Sequence, residues 1–288
     1  MTSQPAKLRE MLTAPGLISS PGVWDGVSAQ VAAEAGFELL YMTGSGVSLG
    51  THGLPDVGLL TLTEMAEACG RITSVVSLPV IADADTGYGN AVNAQRTLRE
   101  FESAGASGIQ FEDQISPKKC SHLSGREVID AEEMCLKIAA AAQARKAPDF
   151  VIIARTDARE SHGIDEAIRR CQAYSKAGAD ILFITGPEGE AELARIPLEV
   201  DAPCLLVVAW GAEKMAPSKL EKMGFKIAVY PGELQRISAF AMREAAKILK
   251  EKGSLESMAG RMLTYPQRFD LAGYDAIRKT ESKFLPAE

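Results

Sequence analysis

The feature that most constrains the fold is the regular alternation of short apolar runs with longer helical patterns. Each apolar run is continuous and rich in β-branched residues, which is typical of a strand buried on both faces of a parallel sheet. The predicted strands are residues 17–23, 39–43, 80–83, 108–112, 151–155, 181–185, 204–208 and 226–230. The helical patterns between them include residues 91–103 and 165–176. These eight β-then-α units predict an α/β fold, a (β/α)8 TIM barrel, with a doubly wound open sheet as the alternative.

A short glycine signature supports the same repeated unit. Gly36, Gly105, Gly178 and Gly224 each stand where a helical pattern ends and a predicted strand follows. Glycine at that point fits the left-handed conformation that closes many helix C-termini. We therefore expect residues 1–288 to form a single barrel domain.

Charge and apolar patterning exclude several classes of protein. The net charge is −7 and no Lys/Arg stripe with interleaved aromatics occurs, so we expect neither a nucleic-acid partner nor a membrane surface. No apolar run approaches the roughly 18 residues of a membrane span, and the N-terminus lacks the apolar stretch of a signal peptide. The five cysteines are odd in number and show no CxxC spacing. A reducing, cytoplasmic location is predicted.

A basic loop that carries a cysteine follows the fourth predicted strand. Cys120 is flanked by Lys118, Lys119 and His122. Nearby positive charge favours a thiolate, and a loop position keeps the sulfur accessible, so the pattern indicates a reactive cysteine. The alternative is a chance cysteine in a solvated basic turn, which the acidic strand ends make less favourable.

Charged residues collect at the carboxyl ends of the predicted strands, where barrel enzymes place their catalytic groups. Asp83 and Asp85 end the third strand, Glu112 the fourth and Arg155 the fifth. Burying an isolated carboxylate is very costly, so we expect these groups to converge on one site. The carboxylates suit Mg2+, with Mn2+ as the alternative ion. Arg155 is predicted to bind a substrate carboxylate as a bidentate fork, the alternative being an ion pair with Asp157.

A glycine-containing turn, Thr43-Gly44-Ser45-Gly46, follows the second predicted strand. Its backbone N–H groups can form a small nest for an anion. Because it lacks the lysine of a P-loop and the spacing of a dinucleotide fingerprint, an ordinary tight turn is the alternative.

Five motifs, in this order, resemble the isocitrate lyase/phosphoenolpyruvate mutase superfamily, in particular its lyase branch, over residues 22–241. They are Leu54-Pro55-Asp56, Asp83-Ala84-Asp85-Thr86-Gly87-Tyr88-Gly89-Asn90, Glu112-Asp113-Gln114, Lys118-Lys119-Cys120-Ser121-His122 and Ala154-Arg155-Thr156-Asp157-Ala158. The resemblance implies a barrel whose eighth helix is exchanged between subunits of a homotetramer, a dimer of dimers. Residues 253–288 are then the C-terminal helical segment for exchange or subunit packing.

The resemblance also implies roles for individual residues. Mg2+ is expected at Asp83, with Asp85 and Glu112 acting directly or through water. Cys120 is expected to be the catalytic acid on a mobile lid loop, and Asp56 to lie on a second gating loop. The further expected catalytic residues are Lys118, His122 and Arg155. The expected substrate-binding residues are Tyr41, Thr43, Gly44, Ser45, Arg155, Thr185 and Pro231.

The predicted function is a Mg2+-dependent carbon–carbon lyase. Its substrate would be a 2-hydroxy dicarboxylate, such as a substituted malate or a methylisocitrate relative, cleaved to an α-oxo acid such as pyruvate plus a carboxylic acid. Thr185 stands where the lyases for tricarboxylates have glutamate, so a smaller or more apolar small-molecule carboxylate is favoured. Three alternatives stay open: an oxaloacetate decarboxylase or hydrolase of the same superfamily, mutase-type chemistry on a P–C bond, and a non-catalytic barrel.

Overall fold

In the computed structural model, which describes residues 2–209 and 211–285, eight parallel strands close into a barrel. Each strand pairs with the next along the chain, and the first pairs with the last. The strands are β1 (Ile18–Val23), β2 (Leu40–Met42), β3 (Val80–Asp83), β4 (Gly108–Glu112), β5 (Val151–Thr156), β6 (Ile181–Ile184), β7 (Cys204–Val207) and β8 (Phe225–Tyr230). The predicted (β/α)8 barrel is confirmed, and the open-sheet alternative is wrong.

Helices surround the barrel and extend beyond it. They are α1 (Gln4–Thr13), α2 (Gly26–Glu34), α3 (Gly44–His52), α4 (Leu62–Thr73), α5 (Ala91–Ser103), α6 (Ala131–Ala144), α7 (Ala158–Lys176), α8 (Gly189–Glu199), α9 (Pro217–Met223), α10 (Glu233–Lys252), α11 (Tyr265–Leu271) and α12 (Tyr274–Phe284). Short 3-10 helices span Ala212–Lys214 and Glu256–Arg261. No helix in the described residues is long and apolar enough to cross a membrane.

Apolar side chains fill the barrel interior and one end of it. Leu8 of α1 is fully buried and packs in one cluster with interior residues such as Tyr41, Ile153 and Ile227. Because a short connection leads from α1 into the start of β1, α1 lies at the end of the barrel where the strands begin, and it covers that amino-terminal end. The opposite, carboxyl-terminal end is thereby left as the open face.

The glycine signature has the predicted conformation. The φ angles of Gly36, Gly105, Gly178 and Gly224 are +87°, +87°, +113° and +100°, in the left-handed region that L side chains rarely adopt. A helix predicted from residue 165 instead begins at Ala158, with a non-helical break at Gly163.

The last long helix is poorly covered by its own barrel. On α10, Ile237, Phe240 and Met242 are 60–67% exposed, and only Gln235 is buried. Residues 286–288 of the predicted C-terminal segment lie outside the described residues. The predicted helix exchange stays a prediction, which this exposed apolar face supports.

Candidate active site

A cavity of about 400 Å³ opens at the carboxyl-terminal end of the barrel. The predicted site residues that line it are Tyr41, Thr43, Ser45, Asp56, Asp83, Cys120, His122, Arg155 and Pro231. In the described part of the chain, the lining does not include Gly44, Asp85, Glu112, Lys118 or Thr185. Four of these five residues contact lining residues through the polar network described below: Gly44, Asp85, Glu112 and Lys118. Thr185 is buried, and its predicted contact with substrate stays a prediction.

The three predicted metal ligands are buried together with basic side chains. Asp83 accepts backbone hydrogen bonds from Gly44 (3.3 Å) and Asp85 (3.1 Å). Lys118 Nζ lies 2.9 Å from Oδ1 of Asp85 and also pairs with Asp56. Burial raises the pKa of Asp85 to about 6, because desolvation disfavours its charged form.

The cluster has an excess of negative charge. Its largely buried carboxylates are Asp56, Asp83, Asp85, Glu112 and Asp157, and its basic side chains are Lys118, Arg126 and Arg155. These carboxylates outnumber the basic side chains, and every candidate ligand is an oxygen, which Mg2+ prefers. No group of three or more His, Cys, Asp and Glu in the described residues already surrounds a single point. The donor set and its charge nevertheless fit Mg2+.

Gly44 allows the backbone to approach two of these carboxylates closely. A Cβ at this position would lie 2.8 Å from Oδ2 of Asp83 and 3.5 Å from Oδ1 of Asp85. A side chain at residue 44 therefore forces Asp83 to move.

We expect Gly44→Ala to weaken Mg2+ binding by about 10- to 100-fold, as changes to groups that orient metal ligands do. Isothermal titration calorimetry with Mg2+ measures the effect. Gly70→Ala is the matched control, because a Cβ there meets nothing within 4 Å. Equal Mg2+ affinity in the two variants would contradict the assigned position of the metal.

Arg155 forms the ion pair with Asp157 that was the alternative to substrate binding. Its Nε and Nη2 donate to Asp157 at 2.8 and 2.9 Å, and Nη1 lies 2.8 Å from Oε2 of Glu112. The bidentate fork is thus occupied by Asp157, although Arg155 also lines the cavity. The predicted bidentate contact between Arg155 and substrate is replaced by a bidentate contact with Asp157.

The pKa of the Cys120 thiol is raised above its ordinary value. Burial raises its pKa, and the neighbouring Asp56 adds to this effect, while the His122 backbone and Lys118 act in the opposite direction. This direction is opposite to the one that the basic flanks alone favour, because burial and a carboxylate outweigh them. A neutral thiol at the cavity wall can donate a proton.

The predicted lid loop, residues 115–127, supplies Cys120, Ser121 and His122 to the cavity wall. Lys119 N–H donates to Oε1 of Gln114, and Nε2 of Gln114 donates to the Lys119 carbonyl and to Oε1 of Glu112, each at 2.9 Å. The backbone N–H of Cys120 donates to the Asp56 carbonyl at 3.0 Å. Gln114 therefore connects the lid to the acidic cluster, a role that sequence analysis missed although Gln114 belongs to one of the five motifs.

The first turn of α10 supplies lining residues that sequence analysis also missed. Glu233, Gln235 and Arg236 follow Pro231 at the end of β8, where the rule for barrel sites would have placed them. Nε2 of Gln235 donates to the carbonyl of Gly46 at 2.7 Å, which joins this turn to the predicted anion-binding turn. Arg236 makes no ion pair with another described residue.

The fully buried carboxylate of Asp113 binds the end of β5, next to the site. Asp113 accepts hydrogen bonds from Thr156 Oγ1 (2.6 Å), Tyr174 OH (2.7 Å), Asp157 N–H (2.9 Å) and Arg170 Nη1 (3.1 Å). Because Asp157 in turn binds Arg155, the network fixes the end of β5.

These features define an acid-rich (β/α)8-barrel protein whose site lies at the carboxyl ends of the strands. The model of the phosphoenolpyruvate phosphomutase family matches residues 8–250. The chain therefore belongs to this family, and the predicted membership of the isocitrate lyase/phosphoenolpyruvate mutase superfamily is confirmed.

Similar proteins cover almost the whole chain. A 2,3-dimethylmalate lyase of Eubacterium barkeri is 44% identical over 97% of this chain and 97% of its own length. A 2-methylisocitrate lyase of Aeropyrum pernix is 40% identical over 96% and 89%, respectively. A crystal structure of 2,3-dimethylmalate lyase matches with a TM-score of 0.91 and 36% identity, covering 98% of this chain and 96% of that one. A phosphonopyruvate hydrolase complex with oxalate and Mg2+ matches with a TM-score of 0.89, 30% identity and coverage of 99% and 100%.

Proposed function

We propose that this chain is a Mg2+-dependent carbon–carbon lyase that cleaves a 2-hydroxy dicarboxylate of the 2,3-dimethylmalate type. The observation that carries the proposal is the position of Cys120, which lines the same cavity as Asp83, Arg155 and the Thr43–Ser45 turn. The raised pKa of its thiol suits a proton donor in a cavity that also holds groups suited to bind an α-oxo acid. The sequence identity to lyases supports the same conclusion.

The reaction proceeds as a retro-aldol cleavage. The 2-hydroxyl loses its proton to the carboxylate cluster, the C2–O bond becomes a carbonyl, and the C2–C3 electron pair moves to C3. The Cys120 thiol then gives its proton to C3, and the proton taken from the hydroxyl restores the thiol through solvent. With 2,3-dimethylmalate the products are pyruvate and propionate, so atoms and charge balance. General acid catalysis of this kind typically contributes about 10²- to 10⁴-fold.

Mg2+, when bound by Asp83, Asp85 and Glu112, supplies a Lewis acid for the developing oxyanion. The chain's own groups orient the rest of the substrate. The Thr43–Ser45 turn and Arg155 hold the carboxylate of the oxo-acid half, and Arg236 provides positive charge for the second carboxylate.

The remaining wall favours small apolar substituents. Phe183, Val207, Val208 and Ala209 line the cavity and offer apolar surface rather than donors. A third carboxylate against this wall would lose its hydration without gaining a partner, at a cost of several kcal/mol. A substituted malate is therefore a better substrate than a tricarboxylate.

The test is a substrate panel with the purified protein and Mg2+. 2,3-dimethylmalate, 2-methylisocitrate, oxaloacetate and phosphonopyruvate are incubated separately, and the oxo acids released are measured. Pyruvate from 2,3-dimethylmalate that disappears with EDTA supports the proposal. Turnover of oxaloacetate alone would instead support the decarboxylase or hydrolase alternative.

The pH dependence of cleavage reports the state of Cys120. Because its pKa is raised, the thiol stays protonated through neutral pH and is lost as an acid only above the ordinary thiol pKa of about 8.5. We expect kcat/KM to stay level up to that pH and then to fall. A fall beginning well below pH 8 would indicate a thiolate and contradict this assignment.

We also propose that the exposed face of α10 and residues 253–288 bury each other's apolar surface between subunits of a homotetramer. The exposed Phe240 and Met242, and Ile277 and Phe284 of α12, support this arrangement. Sedimentation velocity tests it, with a monomer at micromolar concentration as the contrary result. A cytoplasmic location stays a prediction.

A further inference from the structure

Arg126 lies between the lid loop and the barrel, and its guanidinium contacts both. Nη1 donates to the carbonyl of Ser121 and, at 3.0 Å, to the carbonyl of Leu123. On the other side, Nε lies 3.1 Å from Oδ1 of Asp157 and Nη2 lies 2.9 Å from Oε2 of Glu160. The residue is only 6% exposed. One side chain therefore donates hydrogen bonds to two lid carbonyls and forms ion pairs with two barrel carboxylates, while its Nε makes no hydrogen bond to another described residue.

The two sets of contacts belong to the two halves of the proposed reaction. The lid carbonyls belong to Ser121 and Leu123, one and three residues after Cys120, the proton donor. Asp157 is the carboxylate that occupies the fork of Arg155. Arginine has five donors in a rigid planar arrangement, so Arg126 can bind both sides at once, which the compact ammonium group of lysine can reproduce only in part.

We infer that Arg126 is a positioning residue that joins the lid loop to the Asp157–Arg155 pair. It thereby fixes the position of Cys120 relative to Arg155. The inference rests on the proposed function, because that function assigns the roles of Cys120 and Arg155. Arg126 itself lies outside the cavity lining in the described residues and acts through these partners.

A nearby arginine provides the matched control. Arg159 makes the same kind of contacts, to Glu188 and Glu192, and is also largely buried. It contacts neither a lid carbonyl nor Asp157. Arg159→Gln therefore removes a comparable charge network without touching the junction that Arg126 makes.

The first experiment follows hydrogen exchange of the lid in the free protein. We expect Arg126→Gln to accelerate exchange of residues 115–127 by about tenfold or more, since charge-assisted hydrogen bonds to the lid are lost. Exchange in β4 should match the wild type, and Arg159→Gln should match it throughout. Unchanged lid exchange overturns the inference, as does equal acceleration across the barrel, which indicates a general structural role.

The second experiment uses turnover of 2,3-dimethylmalate. We expect Arg126→Gln to lower kcat by about 100-fold, the scale of a small misplacement of reacting groups, and Arg126→Lys to recover part of it. In a protein that already carries Arg155→Lys, adding Arg126→Gln should lower kcat by only about threefold or less, because the effects of coupled residues are not additive. Full additivity overturns the link to Arg155. If even the wild type shows no turnover, the proposed function fails, while the exchange experiment still decides whether Arg126 holds the lid.

Discussion

Cys120→Ser should abolish carbon–carbon cleavage while leaving Mg2+ and oxalate binding intact. A serine hydroxyl is a far weaker acid than a thiol, so the carbanion at C3 is left without its proton donor, and we expect a loss of about 10²- to 10⁴-fold in kcat. Pyruvate release from 2,3-dimethylmalate measures turnover, and calorimetry measures binding of Mg2+ and oxalate.

The control for this variant is Cys135→Ser. Cys135 lies on α6, is partly exposed and does not line the cavity, so its replacement should leave turnover unchanged. Cleavage by Cys120→Ser at near the wild-type rate would refute the assignment of Cys120 as the acid.

Of the proposed variants, Asp113→Ala should cause the largest fall in the free energy of unfolding. It leaves Tyr174 and Thr156 without an acceptor and deprives Arg170 of one of its two carboxylate partners, the other being Glu166. Breaking a buried ion pair from one side costs about 3–5 kcal/mol, so the midpoint of urea unfolding should fall sharply.

Two further variants keep this prediction decisive. Asp113→Asn retains an acceptor oxygen and should lose less, which gives a measurable protein if the alanine variant does not fold. Asp130→Ala is the control, because Asp130 is exposed and makes no side-chain cap hydrogen bond. A loss in Asp113→Ala as small as that of the control would show that the network does not stabilise the fold.

Much of the fold was predictable because local sequence and global topology agree. A parallel barrel buries both faces of each strand, so its strands are continuous apolar runs that can be recognised singly. The α5 helix was predicted with its observed ends, Ala91–Ser103, where Asn90 caps the start. The break at Gly163 shows the limit, since α7 begins earlier than its regular helical pattern.

The site was predictable to the extent that the barrel brings strand ends together. Asp83, Glu112 and Arg155 meet there because parallel strands share one open end. The pairing of Arg155 with Asp157 was one of the alternatives that the sequence left open. The raised pKa of Cys120 depends on burial, which a linear pattern of charges does not contain. Arg126 and Arg236 depend on contacts between distant elements, and no local motif marks them.

The α10 helix contributes both to the wall of the cavity and to the proposed interface between subunits. In its first turn, the Gln235 side chain donates a hydrogen bond to the carbonyl of Gly46, in the predicted anion-binding turn. The rest of the helix exposes Phe240 and Met242. A neighbouring subunit that covers those outward residues would steady the helix, and with it the wall of the cavity. Assembly would then act as a condition for turnover, and specific activity should decline when the protein is diluted below the dissociation constant of the oligomer.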